Sequence, residues 1–296
     1  MSTVTTHDVI AIVCALLTAL ANGLAVTTQH IASTSSDSRL RGWRFLVYLL
    51  HHPLWLFGWL AMGASLLFQS LALHFAAMSL VQPLLVTELV LALVLRRFWL
   101  RQRVSGRAWM ASLVATLALA LFLAMVAATS SATTSITTWV APSAWSVAAV
   151  ALMFLGGLRG SPSRRASCWG AATAVLWALE AALIKECTDV LAGRGFSGLV
   201  VHWSFCAFVL CGVAGLLCEQ SALHVGPLRN SQTAIVVVDP VVSVALGIWI
   251  FHERLGGSLL AHAVAFSSLV VALAATAVLI VATPDNLAAT SRPSPR

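Results

Sequence analysis

Apolar runs long enough to cross a bilayer dominate this chain and leave it few ways to fold. A spanning helix needs about 20 mostly apolar residues. Nine stretches qualify as candidates: 9–30, 54–75, 79–98, 108–127, 140–157, 168–187, 199–219, 229–250 and 259–282. In hydrocarbon every backbone polar group must be paired within the protein, and a helix achieves that within one segment. The expected fold class is therefore all-α, a polytopic transmembrane helical bundle of about nine spanning helices. The composition agrees, with 59% hydrophobic and 9% charged residues and a mean hydropathy of +0.92. Soluble domains carry about a quarter charged residues.

A net charge of +7 would suggest nucleic acid in a soluble protein, but here the base is arginine set between apolar runs. Arg39, Arg41 and Arg44 follow the first run, and Arg96, Arg97, Arg101, Arg103 and Arg107 follow the third. Arg159, Arg164 and Arg165 follow the fifth, and Arg292 and Arg296 lie in the tail. The alternate loops, AAMS after the second run and ATSSATTSITT after the fourth, carry no arginine. The positive-inside rule then places the N-terminus outside and the C-terminus in the cytoplasm of a multi-pass plasma-membrane protein. That arrangement requires an odd number of spans.

Residues 1–8 hold no Lys or Arg, and the run after them is too long for a signal-peptide core, so a retained first helix is expected. Residues 41–52, with Trp43, Phe45, Tyr48 and several leucines, read as a helix lying at the interface. His51 and His52 are adjacent and point in different directions on a helix, so they read as interfacial rather than as a metal pair. The six cysteines form no CxxC pair. Residues 284–296 read as a disordered cytoplasmic tail.

Two stretches resemble each other at a spacing of 150. QSLALHFAAMSLVQPLLVTELV covers 69–90 and QSALHVGPLRNSQTAIVVVDPV covers 220–241. Ala72-Leu73-His74 meets Ala222-Leu223-His224, Gln82 meets Gln232, Val86 meets Val236, and Trp99 meets Trp249. The chain divides accordingly into a first transmembrane repeat over 1–130, a polar loop and connector helix over 131–167, and a second repeat over 168–283. Corresponding loops 96–107 and 251–258 fall on opposite sides of the membrane, so the halves are expected to be inverted.

On QSLALHFAAMSLVQPLLV, QSALHVGPLRNSQTAIVVVDPVVSVALGIWIFHERL and Lys185 in ALEAALIKE, the chain resembles the drug/metabolite transporter superfamily, in particular its bacterial branch related to NIPA-type magnesium transporters. The resemblance covers most of 9–282. It implies ten helices in two inverted five-helix repeats, with one helix here reduced to the interfacial stretch, and secondary transport by alternating access.

The quoted stretches also hold the residues hardest to place in lipid. Glu88 and Asp239 lie near the middle of their segments, where an ionised carboxylate costs about 2.5–3.5 kcal/mol. Such groups face a cavity or a partner, and burial favours the neutral acid, which makes both candidates for proton carriers. Pro83 follows Gln82 and Pro240 follows Asp239; each removes an amide donor and crowds the preceding turn. Irregular turns with carbonyls free to face a ligand are expected at both. On the 150-residue register Glu88 matches Val238 and not Asp239, an offset of roughly 100° of helix rotation. Glu180 and Trp177 lie one turn apart, where an aromatic face beside a carboxylate would suit an organic cation. Lys185 either contributes to the same site or pairs with Asp189 four residues on.

The expected binding set is thus Glu88, Asp239, Glu180, Lys185, Gln82, Gln232 and Trp177, with Pro83 and Pro240 as helix breakers. No HExxH, GxSxG, P-loop or dinucleotide fingerprint occurs. No enzyme activity, cofactor or nucleic-acid partner is expected, and the metal, if any, is undefined. The partners expected are membrane lipids and a small metabolite or cation, with a homodimer left open. The function expected is secondary transport through a midplane site, with or without proton coupling. The alternatives are a flippase for an amphiphilic or lipid-linked substrate and a non-transporting membrane scaffold.

Overall fold

The computed structural model describes residues 6–34, 51–85, 87–98, 105–125, 127–129, 135–225, 228–256 and 258–282. Its helices are α1 (Thr6–Thr34), α2 (Pro53–Phe75), α3 (Met78–Leu85), α4 (Thr87–Phe98), α5 (Gly106–Met125), α6 (Ile136–Leu158), α7 (Pro162–Val201), α8 (Trp203–Val225), α9 (Leu228–Ile250) and α10 (Leu259–Ala282). The fold is all-α apart from a two-stranded antiparallel ribbon of β1 (Ala127–Thr129) and β2 (Arg254–Gly256), in register Ala128 to Leu255. Most of the interfacial stretch, Arg103 and the tail from 283 lie outside the described residues.

Among the described residues five helices are long and apolar enough to cross a membrane: α2, α6, α7, most of α9 and most of α10. Shorter apolar stretches lie within α1, α5 and α8. Their outward side chains are large and apolar, as Leu60, Leu152 and Leu210 show at 71%, 70% and 69% exposure. In water such a surface would aggregate; in lipid it is the matched face. The chain is a membrane protein built of transmembrane helices.

Local chemistry sets the helix ends. Pro53 at the first position of α2 gives up no helical hydrogen bond, and its ring fixes the backbone for entry. Ser161 opens α7, its hydroxyl accepting from the Arg164 amide at 3.4 Å, with Pro162 behind it. That cap lengthens the helix beyond the expected 168–187. At its far end the helical path is interrupted at Gly195, whose φ of 69° and ψ of −176° suit glycine alone. The expected single segment 79–98 is two helices, α3 and α4, meeting at Val86, which is outside the described residues.

The packing has a recurring pattern. Helix α1 lies against α2 and against α3 and α4, as α7 lies against α8 and α9; α6 rests on α7, and α5 pairs with α10. A large buried cluster joins α2, α3, α6, α7 and α9 through Leu73, Met78, Val81, Trp139, Leu183 and Leu246. A smaller one, Leu119, Phe122, Ala265, Leu269 and Leu273, joins α5 to α10. Small residues permit the closest approaches: a Cβ on Gly170 of α7 would stand 2.6 Å from the Ser231 carbonyl oxygen of α9.

Candidate functional site

Four carboxyl side chains on four helices form a chain of neighbours inside the bundle. Glu88 stands in the first turn of α4, Glu180 in α7, Glu219 in α8 and Asp239 at the centre of α9. Glu88 interacts with Glu219 and Asp239, and Asp239 with Glu180. All four are half-buried. Among the described residues the salt bridge present joins His74 and Asp189, at 3.5 Å, and none of these four acids takes part in one.

Each acid is positioned differently. Asn22 of α1 donates its side-chain amide to Glu88 at 3.2 Å, so Glu88 is held across two helices. Ser243, one turn further along α9, donates to Asp239 at 3.1 Å, a contact made within one helix. Glu180 and Trp177 both lean on glycines of α8. A Cβ on Gly212 would meet the Glu180 carboxyl oxygen at 2.8 Å, and one on Gly215 would meet the Trp177 ring at 2.9 Å. Those two glycines leave the room that the larger side chains of α7 occupy.

The remaining expected residues divide. Gln82 is buried on α3, and its side-chain nitrogen has no hydrogen-bond partner among the described residues. Pro83 is buried beside it, within α3 and short of the junction with α4. Gln232 lies on α9, but its side chain is outside the described residues. Pro240 is buried within α9, which runs from Leu228 to Ile250 as one helix, so the irregular turn expected there does not form. Proline still leaves the carbonyl one turn before it without an amide partner, and the surrounding helices hold α9 together.

Lys185 belongs elsewhere. Its ammonium donates to the carbonyl oxygens of Leu73 at 3.0 Å and Ala76 at 3.1 Å, not to Asp189, and sits 5.2 Å from the centre of the Phe251 ring. The carbonyls at the end of α2 lack helical partners and carry the negative end of its dipole, so a cation is the matched group. Next to it, the Glu253 carboxylate accepts from the amides of Met78 at 2.6 Å and Ser79 at 2.9 Å, the first turn of α3. Sequence reasoning missed Glu253, which lies in a loop and whose partners are backbone groups 174 and 175 residues away. It also missed Glu219, at the last position of an expected segment, and Asn22. The 150-residue register offered one signal, since it sets Glu219 opposite Gln69.

Chemically, the four acids offer oxygen ligands and proton acceptors, and among the described residues no base forms a salt bridge with them. No family model matches the chain, and no solved structure matches it. The chain is similar to an uncharacterized protein of Corynebacterium glutamicum, with 25% identity over 254 residues covering 83% of this chain and 86% of the relative. The likeness thus extends beyond either half of the bundle.

Proposed function

We propose that this protein is a secondary transporter of the drug/metabolite type. It moves a small cationic substrate or ion by alternating access through a site near the membrane midplane, with protons as the candidate coupling ion. The observation that carries this reading is the chain of neighbouring acids on four helices, Glu219 beside Glu88, Glu88 beside Asp239 and Asp239 beside Glu180. Carboxyls inside a membrane protein are costly, and transport pathways are where that cost is offset. A scaffold gains nothing from them.

The cation class follows from where the bases are. Lys185, the one lysine in the chain, is engaged by the end of α2 and is not available to an anion at the acids. The recurrence of α1-on-α2 packing as α7-on-α8 is what two inverted repeats would produce, with α6 as the connector. In this reading the ribbon end faces outward and the end whose loops carry most of the arginines of the sequence faces the cytoplasm.

The test is flux in proteoliposomes. Purified protein should move an organic or inorganic cation from a defined panel faster than protein-free liposomes do, and an imposed pH gradient should alter the rate if protons are coupled. No flux of any cation, together with scrambling of a labelled phospholipid, would favour the flippase reading.

A further inference from the structure

The break between α2 and α3 is held in an unusual way. Ala76 is extended, at φ −139° and ψ 164°, so one helix ends and the next begins across Ala76 and Ala77. This elbow presents orphan carbonyls on one side and orphan amides on the other. Lys185 takes two carbonyls and Glu253 takes two amides. Both side chains are buried, at 4% and 3% exposure, and they feel each other's charge. Beside them His74 of α2 meets Asp189 of α7 at 3.5 Å. In each contact an early helix, α2 or α3, is tied to α7 or to the loop after α9.

The loop that brings Glu253 back is specialised for that task. His252 has a φ of 49°, a left-handed conformation that non-glycine residues rarely adopt. Gly247 must lack a side chain, since a Cβ there would lie 2.5 Å from the Glu253 carboxyl oxygen and 3.3 Å from the Ser79 amide. Over the elbow lie Trp139, Trp203 and Phe251, with Trp139 5.3 Å from Trp203 and 6.0 Å from Phe251 between ring centres. Aromatic rings thus pack together at this end of the bundle, and the Lys185 and Glu253 ties end on backbone groups of one short elbow.

We propose that Lys185 and Glu253 form the latch of a gate at the ribbon end, holding the α2–α3 elbow shut over the route to the carboxyl cluster. Such a latch can be remade many times. When the elbow swings away, its carbonyls and amides pass to water, and the two charges are hydrated rather than stranded. An apolar seal alone gives no comparable choice between two states. The inference rests on the transport reading for what passes the gate, but the opening itself is measurable without any transport.

The experiment uses full-length protein with the six native cysteines replaced and one reporter cysteine added. Val81→Cys reports from just behind the elbow, and Ala166→Cys from the opposite end; both positions are buried at 0% exposure. An impermeant maleimide is applied to each face in turn, using membrane vesicles of both orientations. Lys185→Met, Glu253→Gln and Gly247→Ala are compared, with gel filtration confirming that each is folded. Gly247→Ala changes no charge and acts by displacing Glu253, so it stands if the charge variants fail to fold.

Each folded latch variant should raise Val81→Cys labelling from the ribbon face by about tenfold or more, the population shift expected when charge-assisted hydrogen bonds to the closed state are lost. Ala166→Cys labelling from the other face should not rise. Val81→Cys rates within about twofold of the parent in the folded variants would overturn the latch, because a tie that selects the closed state must shift the population when it is cut. A parallel rise at Ala166→Cys would overturn it too, showing general loosening. Absence of transport in liposomes would remove the proposed function and leave either labelling result standing.

Discussion

At the scale of single residues, contacts here are decided by which group is small and which is charged. Gly170 is the sharpest case. With Ser231 backbone 2.6 Å from where its Cβ would be, the approach of α7 to α9 leaves no room for a methyl group. Gly170→Ala should destabilise the protein by about 1–3 kcal/mol, the usual cost of overpacking, read as a lower midpoint of thermal unfolding in detergent. Gly106, with nothing within 4 Å of its Cβ position among the described residues, provides the control, and Gly106→Ala should not lower the midpoint. Glu88, Glu180 and Asp239 stood out in the sequence because a charge within an apolar run is conspicuous, whereas Glu219, at the end of its run, did not. Nor did the partners of these acids. Nothing local to Glu88 points to Asn22, which is 66 residues away, and nothing local to Glu253 points to the amides it caps. Lys185 invited pairing with Asp189 because they are four apart, but the end of α2 supplies two carbonyls where α7 passes it.

At the scale of elements, run length was a good guide where helix and membrane span coincide. Expected segments 54–75 and 229–250 became Pro53–Phe75 and Leu228–Ile250. It failed where a helix outlasts its apolar stretch, as α7 does at both ends, because capping and tertiary support extend a helix through polar residues. It failed also at 79–98, where Pro83 announces trouble but gives no position for the junction. Gly195 lets the chain redirect near the end of α7. Gly195→Ala should strain that backbone at a cost of about 1–3 kcal/mol, seen as a lower unfolding midpoint. Gly193, also with open space around its Cβ position but without a positive φ, should tolerate alanine. If both substitutions behave alike, the Gly195 conformation does not matter to stability.

At the scale of the whole molecule, connectivity is the strongest constraint. The ribbon of Ala127–Thr129 with Arg254–Gly256 brings the loops after α5 and α9 to one end, and Trp139 meets Phe251 there. The elbow between α2 and α3 joins them through Glu253. An alternating path of spans produces this grouping; Arg254 sits on the ribbon itself, and the positive-inside rule predicts the orientation from the denser arginines in the sequence of the alternate loops. A cysteine at position 135 should react with an impermeant thiol reagent on intact cells, and one at position 103 should react only after permeabilisation. The reverse pattern would invert the orientation and place the latched end in the cytoplasm.

The central claim, that the buried carboxyls are working parts of a transport site, is tested most directly by neutralising Glu88 without changing its shape. Glutamine keeps the size of glutamate and can still accept the hydrogen bond from Asn22, but it neither titrates nor binds a cation with a full charge. It also removes the expense of a buried charge, so a merely structural Glu88 should accept the change or gain stability from it. The measurement is cation flux by Glu88→Gln in proteoliposomes, beside the parent protein and Asp239→Asn, at matched amounts of folded protein. The account predicts that Glu88→Gln lowers flux by about a hundredfold or more, equivalent to roughly 2.7 kcal/mol of lost stabilisation, while its unfolding midpoint holds or rises. Flux at the parent rate in both neutral variants, with the same response to a pH gradient, would contradict it.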